Sequence, residues 1–239
     1  MPNAAAVVVC GAGIAGAAAA YHLAVRRAVR HVVVVDEREP LTLTSDKGTQ
    51  AYRNWWPGPD DTMLRYMTRS IDLLEEMADE SGNAFRLNRR GYTFVTATDI
   101  GVEHLRGTAR QVSGYGMGEV REHASASHYS PAPAEGYRDQ PIGADLLLGD
   151  EARRAFPGLA PEVAAALHVR RAGWLDGVAL GAWMLKRAVG AGATLIRDRV
   201  TGFDVEGGRV RGIRLGSGTA IATDRVAIAA GPALPAAFP

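Results

Sequence analysis

The strongest constraint on this chain is a glycine-rich turn between two apolar segments near its start. Val7–Cys10 is followed by Gly11, Gly13 and Gly16, and a second apolar run, Val32–Val35, comes after them. A G-x-G-x-x-G turn between a strand and a helix is typical of dinucleotide-binding βαβ units, in which the three glycines permit the tight turn, the approach of a pyrophosphate and close helix–sheet packing, in that order. The alternative is a glycine-rich turn in some other α/β protein.

An acidic residue follows the second apolar run. Asp36 lies where a carboxylate of dinucleotide-binding proteins accepts hydrogen bonds from the ribose hydroxyls. Ile14 and Ala15 lie between the glycines, in the first turn of the predicted helix, where unpaired N–H groups and the positive end of the helix dipole attract phosphate. The turn, the helix and the acid together predict a dinucleotide site.

Composition limits the partners and the other chemistry of the chain. With 27 Lys and Arg against 26 Asp and Glu, the formal net charge of +1 favours small-molecule partners over nucleic acid or an acidic membrane surface. Cys10 is the single cysteine, which excludes an internal disulfide and favours an inert core thiol. The six histidines are scattered, and neither zinc-ligand spacings nor a serine-hydrolase motif occurs.

The sequence also indicates where the protein resides. Neither a secretion signal nor a run of about 18 apolar residues is found, so a cytoplasmic globular protein without a membrane span is expected.

Later segments predict further helices and strands. A helix begins near Thr62 and ends at Gly82, and Asp176 caps another that closes at Gly190, which explains Asp176 better than a role as a catalytic base. The stretch from Ser113 to Asp145 is expected to be loop. The remaining elements are a helix from Asp150 and strands near 89–95, 146–148, 166–170, 194–196, 199–205, 210–215 and 225–230. The strands near 194–196, 199–205 and 210–215 are interpreted as a meander with a hairpin turn at Gly207–Gly208.

The meander leads into an apolar strand that ends Ala229-Ala230-Gly231, and this combination resembles the second signature of two-dinucleotide-fold flavoproteins. Five motifs in order resemble the D-amino-acid oxidase, sarcosine oxidase and dimethylglycine dehydrogenase superfamily of FAD-dependent oxidoreductases, over nearly the entire chain: Asp36–Arg38, Thr44–Arg53, Phe156–Leu159, Gly173–Asp176 and Ala229–Gly231. The resemblance implies an α/β fold, with a Rossmann-like FAD domain, a β-meander and part of an α+β substrate domain.

The same resemblance implies boundaries and an activity. Residues 1–84 and 160–239 would form the FAD-binding domain, and 85–159 a partial substrate domain. The implied reaction removes a hydride from a carbon that bears the nitrogen of an amine or amino acid, giving an imine and reduced FAD, which oxygen or another acceptor reoxidises.

The resemblance further assigns site residues. Ser45, Thr49, Gln50 and Ala51 would lie along the pyrophosphate and the flavin ring, although Ser45 and Thr49 also suit ordinary turns. Arg53 falls where amine-oxidising relatives carry an arginine near the flavin face, with a solvated surface arginine as the alternative. The full cofactor-binding set is Gly11, Gly13, Ile14, Ala15, Gly16, Asp36, Glu37, Arg38, Ser45, Thr49, Gln50, Ala51, Val200 (through its backbone, to the adenine), Ala229, Ala230 and Gly231.

The segment after the ribose acid indicates how FAD is attached. Some relatives attach FAD through a histidine or cysteine after the ribose acid, but residues 41–53 contain neither, so non-covalent FAD is expected. Relatives continue beyond the point that corresponds to Pro239, so a truncated, non-catalytic FAD-binding fragment is one alternative, and little amine-oxidising turnover is expected of this chain. An NAD(P)-dependent Rossmann dehydrogenase is the other alternative, which the meander and the Ala-Ala-Gly end disfavour.

Overall fold

The computed structural model describes residues 2–124 and 129–234. In chain order, the elements are β1 (Val7–Cys10), α1 (Ile14–Tyr21), β2 (Val32–Asp36), β3 (Ala51–Arg53), α2 (Thr62–Ser81), β4 (Tyr92–Thr96), α3 (Asp99–Val112), β5 (Val120–His123), β6 (Ala144–Leu148), α4 (Asp150–Ala155), β7 (Ala165–Val169), β8 (Ala172–Trp174), α5 (Gly177–Gly190), β9 (Thr194–Arg197), β10 (Val200–Glu206), β11 (Arg209–Leu215), β12 (Ala220–Ala222) and β13 (Val226–Ile228).

The chain divides into two compact units. The first combines Met1–Gly48 with Asp176–Pro239, and the second is the continuous segment Thr49–Leu175. The functional domain boundaries at residues 84 and 160 stay a prediction, since they rest on the resemblance.

A four-stranded parallel sheet forms the centre of the first unit, in the order β13-β1-β2-β9. Val9 and Val34 face α1 and α5, whereas Val8 and Val33 face Ile213 of β11. Both faces of the sheet are buried, which is why its strands are continuous apolar runs rather than alternating ones. The predicted parallel α/β fold is confirmed.

The predicted meander is wrong in its first strand. Residues near 194–196 form β9, which lies parallel to β2 with Val35 opposite Ile196, and the antiparallel meander is β10-β11-β12. Ile196 is buried with the valines of the parallel sheet, and this burial favours the pairing of β9 with β2 over pairing with β10. The hairpin turn at Gly207–Gly208 is confirmed, with φ of 57° and 74°, the left-handed values that a type I′ turn requires.

The second unit contains a four-stranded mixed sheet in the order β4-β7-β6-β5. One face packs Leu146 and Leu167 against Leu64 of α2 and Val112 of α3. A separate two-stranded sheet joins β3 to β8 in antiparallel register. The helix predicted from Thr62 is confirmed as α2, which ends at Gly82 in a left-handed conformation, with φ of 63°.

The expectation of a loop from Ser113 to Asp145 is wrong at both ends. Ser113–Met117 extend α3 as a π-helical turn, and β5 pairs in parallel with β6, which begins at Ala144. Strands β5 and β6 form because they pair with segments that are distant in the sequence, and the local composition of this stretch does not indicate such pairing. Residues 125–128 of this stretch lie outside the described residues.

Within residues 2–124 and 129–234, no helix combines the length and apolarity that crossing a bilayer requires. The same described residues contain no group of three or more His, Cys, Asp or Glu side chains placed to hold a metal ion.

Candidate cofactor site

The glycine turn is built from backbone contacts that leave no room for side chains. Gly11 has φ of 108°, and a Cβ there would lie 2.4 Å from the carbonyl oxygen of Ala229, at the end of β13. A Cβ on Gly16 would lie 1.9 Å from the carbonyl oxygen of Gly11. The strand ends of β1 and β13 therefore meet the first turn of α1 at a point that only glycine allows.

The N-terminus of α1 faces the loop that follows β2. Gly13 is the N-cap, and the N–H of Ile14 donates a 2.9 Å hydrogen bond to Ser45 Oγ. A Cβ on Gly13 would lie 3.4 Å from the same hydroxyl oxygen. Ser45 thus reaches the helix N-terminus at the position where an anion is best stabilised.

Asp36 is fixed at the end of β2 by two backbone groups. Its Oδ2 accepts a 2.7 Å hydrogen bond from the N–H of Ala12, and its Oδ1 accepts one of 2.9 Å from the N–H of Arg38. A carboxylate has about four acceptor positions, so both oxygens retain capacity for further donors such as ribose hydroxyls.

A cavity of about 650 Å³ opens at the carboxyl ends of the parallel strands. Ligands of open α/β sheets bind at this edge, and the volume is within the usual range for a cofactor site. Of the predicted cofactor-binding residues, those lining it are Gly11, Gly13, Asp36, Glu37, Arg38, Ser45, Val200, Ala229, Ala230 and Gly231. Ile14, Ala15 and Gly16 follow in the first turn of α1 and are not among the lining residues.

The cavity also contains residues that sequence reasoning missed. Asp198, Arg199 and Phe203 line it from β10 and the turn before it. Hydrogen bonds from Ser217 and nearby backbone N–H groups hold the pKa of Asp198 below its ordinary value. In the sequence, Asp198 and Arg199 stand out only as two polar residues between two predicted strands. The pairing of β9 with β2 is what brings them to the cavity.

Cys10 lines the same cavity but its thiol is nearly enclosed. Burial raises its pKa to about 11, so the thiol stays protonated at neutral pH. A protonated, buried thiol is a poor nucleophile, which agrees with the expectation of an inert core residue.

The remaining predicted residues, Thr49, Gln50, Ala51 and Arg53, belong to the second unit. Ala51 and Arg53 lie in β3, and the Arg53 guanidinium carbon lies 4.9 Å from the ring centroids of both Trp56 and Tyr92. Its buried Nε finds no hydrogen-bond acceptor within the described part of the chain. Arg53 is therefore held between two aromatic rings and is not an ordinary solvated arginine.

The neighbouring tryptophans have different surroundings. Trp55 is buried and packs against Phe94, with ring centroids 5.5 Å apart, whereas Trp56 stacks on Arg53. Packing thus accounts for Trp55, and Trp56 positions a guanidinium.

The glycine turn, the anchored acid and the cavity at the strand ends define the class of the protein as an α/β dinucleotide-binding protein. Within that class, the chain belongs to the DAO family, described as FAD dependent oxidoreductase, whose model matches residues 6–238. The predicted superfamily is confirmed, and the family implies FAD as the cofactor.

Solved structures agree with the fold. L-proline dehydrogenase from P. horikoshii superposes with a TM-score of 0.80 at 23% identity, over 99% of this chain and 55% of that one. An L-amino acid deaminase from Proteus vulgaris without its specific insertion sequence superposes with a TM-score of 0.78 at 21% identity, over 100% of this chain and 56% of that one. Iminodiacetate oxidase from Chelativorans sp. BNC1 superposes with a TM-score of 0.70 at 25% identity, over 93% of this chain and 54% of that one.

The chain spans about half the length of these solved structures. No curated protein sequence matched it. The family model and the superpositions establish the family and the fold.

Proposed function

We propose that the cavity of the first unit holds FAD without a covalent link. The observation that carries this proposal is the cavity beside the N-terminus of α1, whose lining includes Gly11, Gly13 and the strand end Ala229–Gly231 and so offers little side-chain bulk to a pyrophosphate. The cavity-lining residues supply backbone N–H groups, a loop hydroxyl and a carboxylate, which match the phosphate and ribose groups of the cofactor.

Individual residues would have separate tasks. The first turn of α1, with Ile14, Ala15 and Gly16, would direct the positive end of its dipole at the pyrophosphate, and Ser45, which accepts the Ile14 N–H, would contact the same group. Asp36 would accept the ribose hydroxyls while Ala12 and Arg38 hold its carboxylate. Val200, whose backbone lies at the start of β10, would border the adenine.

The proposed reaction is oxidation of the C–N bond of an amine or amino acid. Bound FAD would accept the hydride from the carbon that carries the nitrogen. Arg53 would stand near the flavin with its guanidinium oriented by Trp56 and Tyr92, and Thr49, Gln50 and Ala51 would lie along the cofactor. The positive charge of Arg53, held in place by two aromatic rings, would suit a substrate carboxylate, which favours an amino acid over a simple amine.

The cofactor proposal is tested on the purified 239-residue chain. Titration with FAD should quench flavin fluorescence saturably and give visible flavin bands, and acid precipitation should release the chromophore into the supernatant. Flavin that remains in the precipitate would contradict non-covalent binding. A chain that takes up NADH or NADPH but not FAD would favour a nicotinamide-dependent dehydrogenase instead.

The reaction is tested separately, by anaerobic mixing of the FAD-loaded protein with a panel of substrates. Glycine, sarcosine, proline, iminodiacetate and several D- and L-amino acids should be compared with hydroxy acids of matched size. Bleaching of the flavin by a nitrogen compound, even if slow, would support the C–N reaction, whereas rapid bleaching would contradict the expectation that this chain has little amine-oxidising turnover. Bleaching by hydroxy acids alone would contradict the proposed C–N chemistry and leave the cofactor proposal intact.

A further inference from the structure

The charges of the first unit are unevenly distributed around the ends of α1 and α5. Neither residues 2–35 nor residues 177–197 contain an Asp or Glu. The same two segments carry five exposed cations where the helices end, which we call the basic helix-end surface: Arg26, Arg27, Arg30, Lys186 and Arg187. The net charge of +1 for the whole chain conceals this asymmetry.

An aromatic pair joins the two halves of this surface. The rings of Tyr21 and Trp183 lie 5.2 Å apart, and α1 packs along α5. The guanidinium carbon of Arg26 lies 5.4 Å from the Tyr21 ring centroid, and that of Arg187 lies 5.8 Å from the Trp183 ring centroid. Cations from separate parts of the sequence therefore flank one pair of rings and form a single surface.

Apolar groups lie among these cations. A shallow cavity of about 540 Å³ is lined by Val25 and Trp183 together with Lys186 and Arg187. Val189, at the end of α5, is 49% exposed. Trp183 and Val25 are partly buried, and Val189 is exposed. Tryptophan, aliphatic side chains and cations together are the composition found where proteins meet the headgroup region of a bilayer.

The positive charge is largely uncompensated. For Arg27, Arg30, Lys186 and Arg187, the described residues (2–124 and 129–234) provide no ion pair. Burial together with Arg26 and Arg27 lowers the pKa of His22, so the field of these cations reaches a neighbouring group. Cations near a helix C-terminus also stabilise the helix dipole, but that effect does not require the absence of acids from both segments.

We propose that the basic helix-end surface docks this protein on a bilayer that contains anionic phospholipid. Each Lys or Arg near such a membrane strengthens binding about fivefold, so the four cations Arg27, Arg30, Lys186 and Arg187 suffice for reversible attachment at low ionic strength. Trp183 and Val189 favour a bilayer over a nucleic acid, which offers phosphates but no apolar phase beside them. The proposal revises the expectation from net charge alone and is independent of the enzymatic reaction.

Vesicle sedimentation with the FAD-loaded 239-residue chain tests the proposal. The protein should sediment with vesicles of phosphatidylcholine and phosphatidylglycerol, remain in the supernatant with phosphatidylcholine alone, and detach as salt is raised. The triple variant R27Q/R30Q/K186Q should weaken binding about 100-fold, from three cations at about fivefold each. The matched control R209Q/R211Q/R214Q removes the same charge from β11, on the opposite face of the parallel sheet, and should stay within about twofold of the unmodified protein.

A second measurement places Trp183 at the membrane without relying on the charge variants. Vesicles with brominated acyl chains should quench part of the tryptophan fluorescence, and Trp183→Phe should abolish that part. The proposal is overturned if anionic vesicles do not bind the protein, if both triple variants lose binding equally, or if polyglutamate or a DNA duplex binds at the surface while vesicles do not. Thermal unfolding of each variant verifies that its fold is retained.

Discussion

The carboxylate of Asp36 accepts a 2.7 Å hydrogen bond from the backbone N–H of Ala12, which joins the end of β2 to the glycine turn after β1. The acid is therefore oriented before any cofactor arrives. Glu37, the next residue, has its side chain about half exposed and lies 4.0 Å from the Arg38 guanidinium, a loose surface pair. Two adjacent acids thus have unequal positions relative to the cavity.

Asp36→Ala should weaken FAD binding by about 1–3 kcal/mol, because it removes charged hydrogen bonds both to the ribose and to the turn. Glu37→Ala is the matched control and should have a smaller effect. Fluorescence titration of both variants with FAD measures the difference. A larger loss of FAD affinity for Glu37→Ala would indicate that Glu37, and not Asp36, contacts the ribose.

Gly11→Ala should abolish FAD binding or prevent folding, since the new Cβ would lie 2.4 Å from the Ala229 carbonyl oxygen and φ at this position is 108°. Gly190→Ala serves as the control, because a Cβ at that helix end would have no atom within 4 Å. Circular dichroism and FAD titration separate the two results. Normal FAD binding by the Gly11→Ala variant would show that the turn tolerates a side chain.

Ala28→Gly should raise the free energy of unfolding by up to about 1 kcal/mol. The φ angle at Ala28 is 52°, a left-handed conformation that costs an L-residue about 1–2 kcal/mol and costs glycine nothing. The greater entropy of glycine in the unfolded chain cancels part of this gain. Ala182→Gly, at an exposed position inside α5, should instead lower it by about 1 kcal/mol. Chemical denaturation compares the two variants. Equal effects of the same sign would contradict the backbone argument.

Asp145→Asn should destabilise the second unit by about 3–5 kcal/mol at neutral pH, since it leaves the buried Arg170 without its charged partner. Burial alone would raise the pKa of Asp145, but hydrogen bonds from Arg121, Arg170 and His123 outweigh it and hold that pKa well below its usual range. A depressed pKa in the folded state gives stability that is complete above the unfolded value, about 3.9, and lost as the pH falls below it.

The difference between wild type and Asp145→Asn should therefore shrink in acid, which denaturant titrations at several pH values measure. His168 also contributes to the pH dependence. Burial lowers its pKa, so it reduces stability as the pH falls below about 6.5, and in wild type the nearby charge of Asp145 partly opposes this lowering. A difference that stays constant down to pH about 3 would contradict the assignment to Asp145.

The parts of the fold that were predictable from sequence are those in which local chemistry and tertiary packing agree. Asp176 accepts a 2.9 Å hydrogen bond from the N–H of Ala179 and caps α5 as its residue type predicts. Gly82 ends α2 in the left-handed conformation that glycine favours. The β1–α1–β2 unit was predictable because each glycine in its turn has a specific steric requirement.

Pairings between distant segments were not predictable in the same way. The residues of β9 are β-formers that fit a meander or a parallel sheet, and only the burial of Ile196 beside Val35 decides between them. Helix α3 carried a usable signal, since Thr98 accepts a hydrogen bond from the N–H of Gly101 as an N-cap. Gly101 and Gly107 within the helix weaken that signal.

The site shows the same division. Gly11 and Asp36 were predicted from the local motif and Ser45 from the family resemblance, and the structure gathers all three at one cavity. Their roles toward the cofactor stay predictions. Phe203 and Asp198 reach that cavity from a part of the chain whose position depends on the sheet order. For Arg53, the sequence left its surroundings undecided, and the contacts with Trp56 and Tyr92 supply them.

The interleaved construction of the first unit has a consequence for biosynthesis. Strands β1 and β2 leave the ribosome early, but their outer neighbours, β13 and β9, are made only after the whole of Thr49–Leu175. During that interval, the edges and faces of these two valine-rich strands have no permanent cover, while the second unit has all of its strands and can close first. Slow translation or a stall after Leu175 would therefore expose Val7–Cys10 and Val32–Asp36 to chaperones and to aggregation, and the rate of synthesis of the last segment becomes a determinant of the yield of native protein.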